Sequence, residues 1–275
     1  MKKGLLKKIL VVAVTGIMMF SLGACGSKSD KDGETKGENK LEEIKKNGKL
    51  VVGLSGDYAP YEFYIMDNGE KKLVGFDVDL ANEVAKDLGV KLEIKDMSFD
   101  SLLSAITAEQ IDMIISGMNP DPEREKVVTF SDIYYEAKHG VLINKKDAEK
   151  FKKIEDLEGV KIGAQLGSTQ EKLANEKVKA INPTLLADVN NLILELKTGK
   201  IKALITEEPV AKMAIEKNPE MMLAPIEFEA DGGGNSIAVK KGENELIKEA
   251  NKTIKRLLDS GELEKFIINA NKIAN

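Results

Sequence analysis

The chain carries 41 basic residues, and only two of them, Arg124 and Arg256, are arginines. Arg124 follows Asp121-Pro122-Glu123. Asp is a good helix cap and Pro suits the first helical position, so Arg124 is expected in the first turn of a short helix. A cation is unfavourable at the positive end of a helix. What arginine offers over lysine is a planar fork that binds a carboxylate or phosphate through two parallel hydrogen bonds. The other account is a surface salt bridge to a nearby acid, and the residues alone leave both open. Arg256, among Lys and Leu in a C-terminal amphipathic stretch, reads as a surface residue. Acids at Asp57, Glu207 and Glu208 and a ring at Tyr58 add an acidic, aromatic rim, which favours a polar or cationic ligand. Catalytic signatures are lacking. There is one His and one Cys, no metal-ligand spacing, and His139 reads as structural; no cofactor is expected.

These residues fall at the ends of a repeated pattern. Leu50 to Leu54 reads as a strand, and Phe76, Leu80, Val84 and Leu88 recur with the period of an amphipathic helix closed by Gly89. Lys91 to Lys95 alternates as a half-buried strand. Leu102, Leu103 and Ile106 stripe a second helix, and Ile111 to Ser116 is a strand. The order returns with a strand at Val160 to Ala164 and a capping-box helix start at Ser168 with Glu171. A weak strand follows near Leu185, then a helix stripe at Leu192, Ile193 and Leu196 and a strand at Ile201 to Thr206. Leu102, Leu103, Ile106 and Ile111 are matched ninety positions on by Leu192, Ile193, Leu196 and Ile201. The pattern predicts an α/β fold of two similar lobes with mainly parallel sheets. Ligands on such sheets sit at the carboxyl ends of strands, where Ser55 to Tyr58, Gly117 to Asn119, Gln165 to Thr169 and Glu207-Glu208 lie. Two segments read as crossings between lobes, one after Tyr134-Tyr135 and one at Asp231-Gly232-Gly233-Gly234-Asn235. The lobes are expected at 41–137 plus 236–275 and at 138–235.

The N-terminal residues read differently. Lysines at positions 2, 3, 7 and 8 precede an apolar run from Ile9 to Phe20 and then Leu22-Gly23-Ala24-Cys25. This is the pattern of a secretory signal over residues 1–24, and the run is shorter than the roughly 20 residues a membrane span needs. Leu-Gly-Ala-Cys resembles the bacterial lipobox, in which the Cys is lipid-modified. A solitary Cys outside the cell has no partner for a disulfide, which agrees with lipidation of Cys25. Residues 25–40 hold mixed charge, Gly and Ser and read as a tether. Removing the four lysines before Cys25 takes the formal charge from −5 to −9, and an acidic chain argues against nucleic acid as a partner.

Several stretches resemble the family 3 bacterial solute-binding proteins, the polar amino-acid receptors of ABC transporters. They are Gly75 to Leu80 (Gly-Phe-Asp-Val-Asp-Leu) with Ala85 and Leu88, Asp57 to Phe63, Ile111 to Met118 with Glu123-Arg124 and Phe130-Ser131, and Gln165 to Thr169. The resemblance implies a two-lobed fold of the type II periplasmic-binding kind. It also implies an extracellular, lipid-anchored monomer that captures a free α-amino acid and delivers it to a membrane permease and ATPase, without doing chemistry. Residue by residue, it implies that Tyr58 and Phe99 flank the ligand side chain and that Arg124 clamps the α-carboxylate. Thr169 would offer that carboxylate a backbone N–H, while the Gly117 carbonyl and the Asn119 side chain would face the α-ammonium. Glu207 stands where the family usually has Asp to pair with that ammonium. Asn119 and Asp121 replace the Thr of better-known members, and Ser55 stands where glutamine and histidine binders often carry Asp. The same fold hosts the secreted cyclohexadienyl dehydratase, which makes an enzyme with Glu207 as its acid the alternative.

Overall fold

The computed structural model describes residues 39–228 and 234–274. The expected signal segment, Cys25, most of the tether and Asp231 to Gly233 of the second crossing lie outside the described residues. The last residue of the expected tether, Lys40, already belongs to helix α1 (Lys40–Asn47), which the Asn39 side chain caps by accepting the Glu42 N–H. Strand β1 (Lys49–Leu54) follows, then a hairpin unit of β2 (Asp57–Tyr58), β3 (Glu62–Asp67) and β4 (Glu70–Val74). Helix α2 (Phe76–Leu88) buries Phe76, Leu80, Val84 and Leu88, and Gly89 ends it in the left-handed conformation at φ 72°. Then come β5 (Lys91–Asp96), α3 (Leu102–Thr107), β6 (Met113–Ile114) and β7 (Val128–Tyr135).

The chain crosses after Tyr135 into β8 (His139–Asn144), β9 (Ile162–Gln165), α4 (Thr169–Lys172) and β10 (Thr184–Leu186). Helix α5 (Val189–Lys197), β11 (Ala203–Glu207), α6 (Glu208–Lys217) and β12 (Met221–Leu223) complete the second lobe. The chain then re-enters the first sheet as β13 (Asn235–Lys240), and α7 (Asn244–Ser260) and α8 (Glu262–Ala274) pack behind it.

Each lobe has a five-stranded sheet, in the orders β5-β1-β6-β13-β7 and β10-β9-β11-β8-β12. The two have the same plan. β1 runs parallel to β5 and β6, and β9 runs parallel to β10 and β11. The strands flanking the crossings, β13 and β8, join antiparallel because they enter from the other lobe. At the crossings themselves Asn235 pairs with Tyr135, so the two connections lie side by side.

The ninety-residue match becomes real packing. A Cβ on Gly53 would lie 2.5 Å from Ile111 Cδ1 and 3.0 Å from Leu102 Cδ2. A Cβ on Gly163 would lie 2.6 Å from Ile201 Cδ1 and 3.0 Å from Leu192 Cδ2. In both lobes the helix reaches its sheet through a glycine, with a Leu and an Ile filling the same space. Two local expectations differ in detail. Only Met113–Ile114 of the Ile111–Ser116 strand is in regular ladder, as the chain turns toward Gly117 at φ 52°. The helix after Asp121 is a single 3-10 turn at Arg124–Lys126, held by Asp121 Oδ1, which accepts from Glu123 N and Arg124 N.

Candidate functional site

The carboxyl ends of β1, β6, β9 and β11 meet between the lobes. Tyr58 of β2 lies in a ladder of rings, 5.2 Å from Tyr61, which in turn lies 4.5 Å from Phe76. The Tyr58 hydroxyl extends across to the second lobe. It lies 3.4 Å from Thr206 Oγ1 and accepts from the Glu207 N–H at 3.3 Å and from Gln170 Nε2 at 3.4 Å. Phe99 sits at the start of the turn into α3, with the Arg124 guanidinium 5.4 Å above its ring.

Arg124 is 4% exposed. It donates from Nη1 to the Asn119 carbonyl at 2.8 Å and from Nη2 to the Gly167 carbonyl, across the cleft, at 2.9 Å. No carboxylate forms an ion pair with it among the described residues; the neighbouring acid, Asp121, pairs with Lys172 instead. Burial pushes the guanidinium down to about 10, with Asp121 opposing the shift. The surface-salt-bridge account of Arg124 therefore fails. A buried cation without an anion is costly, and this one faces the cleft. Beside it, Thr169 opens α4, and its buried Oγ1 has no partner. The capping expected of Ser168 is present in one arm: Ser168 Oγ accepts from Glu171 N, while the Glu171 carboxylate takes the Gly167 N–H.

Acids gather at the other side. Glu62 is fully buried in β3 and accepts from Ser116 Oγ through Oε1, while Oε2 has no donor. Asp77, also fully buried, accepts from Gly117 N at 2.7 Å and Tyr134 OH at 2.8 Å through Oδ2, and its Oδ1 has no donor. The two carboxyls are near neighbours, and each is felt by the other. Burial holds both above the usual carboxylate range, and for Glu62 the neighbouring Asp77 charge adds to the rise. Glu207 is buried as well, and burial raises it, opposed by the groups that donate to it. These are Tyr61 OH, Asn119 Nδ2 at 3.0 Å and Asn235 Nδ2 at 3.0 Å.

Of the seven residues expected to bind ligand, five line one narrow cavity: Tyr58, Phe99, Gly117, Asn119 and Thr169. Arg124 reaches its edge through Phe99 and Gly167. Glu207 stands behind it, joined to Asn119 and Tyr61. The Gly117 carbonyl and the Asn119 amide are engaged within the protein, by Asn235 Nδ2 at 2.8 Å and by Glu207 and the Gly234 carbonyl. Ser55 and Gln165, both at strand ends marked in the sequence, also line the cavity, and Glu62, Ser116 and Gln170, not singled out there, complete the wall. Glu62 carried a usable signal: it is an acid between Tyr61 and Phe63 in an otherwise apolar stretch. His139 lies 3.2 Å from Gln170 Nε2 through Nδ1 and is largely buried. Among the described residues no group of His, Cys, Asp and Glu could hold a metal, and no helix is long and apolar enough to cross a membrane.

Comparison with known proteins agrees with this geometry. The bacterial extracellular solute-binding proteins, family 3, match residues 50–269. The arginine-binding extracellular protein ArtP of Bacillus subtilis is 38% identical over 268 residues, covering 95% of this chain and 96% of that one. The crystal structure of the substrate-binding protein AbpA from Streptococcus pneumoniae, bound to L-arginine, superposes with a TM-score of 0.81 at 41% identity, covering 85% of this chain and 98% of that one. An ancestral amino-acid-binding protein, described as a precursor of cyclohexadienyl dehydratase, superposes with a TM-score of 0.74 at 33% identity, covering 83% of this chain and 98% of that one. The mixed α/β lobes, the cleft between them and the match over most of the chain lead to one assignment: this chain belongs to the bacterial extracellular solute-binding proteins, family 3.

Proposed function

We propose that this protein is the extracellular receptor of an amino-acid ABC importer and that it binds a cationic α-amino acid, with L-arginine as the first candidate. The observation that carries this reading is the polarity of the cavity. At one end are a buried guanidinium without an acid partner and the unpartnered Thr169 hydroxyl. At the other are the Glu62–Asp77 acids, and Tyr58 and Phe99 stand among the walls. An α-carboxylate suits the first end through bidentate pairing. A guanidinium suits the second, where it would meet the free Glu62 oxygen and offset the buried acids. Glu207, with Asn119 and the Gly117 carbonyl, is assigned to the α-ammonium. The arginine named for the relatives ArtP and AbpA supports the same ligand.

On this reading the receptor captures and releases its ligand unchanged. The dehydratase alternative needs Glu207 to give up a proton, yet its two amide partners, Asn119 and Asn235, only donate to it. The lobes, 41–137 with 236–275 and 138–235, close about the paired crossings at Tyr135 and Asn235. The chain acts as a monomer, held at the outer face of the membrane by lipid on Cys25, so Cys25→Ser releases it from the membrane fraction. A thermal-shift screen of the twenty amino acids tests the ligand, because binding to the folded form alone raises its stability. Arginine is expected to give the largest rise. No rise with any amino acid, or a larger rise with an uncharged one, overturns the proposal.

A further inference from the structure

Beside the ligand cavity, at the mouth of the cleft, Asp57 projects from the first lobe onto the second. Its Oδ2 accepts from the Val189 N–H at 2.6 Å, and its Oδ1 from Ser55 Oγ at 2.6 Å. Gln165 Nε2 and Asn190 Nδ2 of the second lobe also approach it, each at 3.5 Å. Val189 is the first residue of α5, and the first N–H groups of a helix have no partner within it. The helix's own cap, Asp188, accepts from Asn191 N at 3.0 Å. The N–H of Val189 is satisfied from the other lobe. A carboxylate at that end also meets the favourable sign of the helix dipole.

We infer that Asp57 is an interlobe latch: a positioning residue that holds the cleft closed over the ligand by completing the cap of α5, without itself touching the ligand. Asp57 is not among the residues lining the cavity, although Ser55 and Gln165, which hydrogen-bond to it, are. Asp188 beside α5 and Glu62 on β3 face it with like charge, and Asp96 and Lys71 share the pocket it borders, where Lys71 lies over the Tyr64 ring at 3.9 Å. Burial, with Asp188 adding to the rise, pushes its carboxyl up to about 6, so it remains mostly ionised at neutral pH. The contact can exist only when the lobes meet, and breaking it belongs to opening. It should therefore govern how long a ligand stays rather than which ligand enters.

The latch rests on the receptor reading for its biological use, but its test has an arm that needs no ligand. In the full chain, Asp57→Ala is expected to speed L-arginine dissociation by about tenfold to a hundredfold, the range of a hydrogen bond to a charged group. The association rate and the preference for arginine over glutamine stay as in wild type. Asp57→Asn, which keeps an oxygen for Val189 N–H, restores slow release. In the ligand-free arm, nitroxide labels at Glu70→Cys and Ile181→Cys in a Cys25→Ser background report the lobe separation, and Asp57→Ala shifts it toward longer distances. Unchanged dissociation overturns the latch. So does a changed preference between amino acids, which would make Asp57 a ligand contact. Should wild type bind no arginine, the receptor's ligand is wrong and the label distances decide alone; identical distributions in wild type and Asp57→Ala overturn the latch.

Discussion

The two lobes have the same interior and different edges. Gly53, Leu102 and Ile111 in the first, and Gly163, Leu192 and Ile201 in the second, meet at nearly identical separations. At the cleft the likeness ends. The first lobe presents rings and paired acids: Tyr58, Tyr61, Glu62 and Asp77. The second presents amides, hydroxyls and a helix start: Gln165, Thr169 and Gln170, with Glu207 as its one fully buried acid among the described residues. Packing tolerates little change inside a filled sheet–helix layer. Strand ends are free to differ, because their side chains answer to the ligand and to the opposite lobe.

The most demanding test of that division removes the buried arginine at the seam. Arg124 arises in the first lobe and bonds Gly167 of the second. Arg124→Ala should weaken amino-acid binding by about a hundredfold to several thousandfold, since breaking a buried charged pair costs about 3–5 kcal/mol. Arg124→Lys should lose most of the same, because an ammonium lacks the planar fork. Titration calorimetry measures both. Arg256, whose partners Glu83, Asp87 and Glu262 lie on the surface of the first lobe, supplies the control. Arg256→Lys should leave affinity unchanged. A similar loss for the two arginines would mean that the seam has no special standing.

The shared interior is tested by filling it. Gly53→Val and Gly163→Val should each lower stability by about 1–3 kcal/mol, the usual effect of overpacking, and by similar amounts. Urea unfolding reads the two. A large loss in one lobe and none in the other would show that the repeat is geometric but not energetic.

The smallest effect concerns the edges. The acids Glu62, Asp77 and Glu207 are all raised by burial. A carboxyl raised in the folded state binds protons there more readily than in the unfolded chain, so its contribution to stability is lost as pH rises through its folded value. Glu62→Gln removes a titrating group that burial and the neighbouring Asp77 charge raise. It should gain on wild type as pH rises from 5 to 8, by at most about 1.4 kcal/mol per pH unit. Glu207→Gln should gain less, because three donors oppose the rise that burial gives Glu207. Thermal melts across that pH range compare the two. Parallel curves would erase the distinction between the paired acids of one lobe and the solitary acid of the other.

What the sequence determined by itself was whatever depends on near neighbours and period. The α2 stripe, the Gly89 cap, the Asp121 turn and the ninety-residue echo all follow from side-chain spacing and backbone preference within a few residues. Five of the cavity-lining residues were also reachable, because strand ends and their loops are visible in the pattern. The tertiary structure alone decided which groups are left over. β13 enters the first sheet antiparallel from a crossing a hundred residues downstream of β7, and the β2–β3–β4 unit brings Glu62 against Asp77. Asn235 takes the Gly117 carbonyl and the Glu207 carboxylate together, from positions far apart in the chain. Hydrogen-bond partners at such separations are not encoded in any local period. They are selected when burial removes water and each polar group must be satisfied by whatever the packed fold has placed beside it.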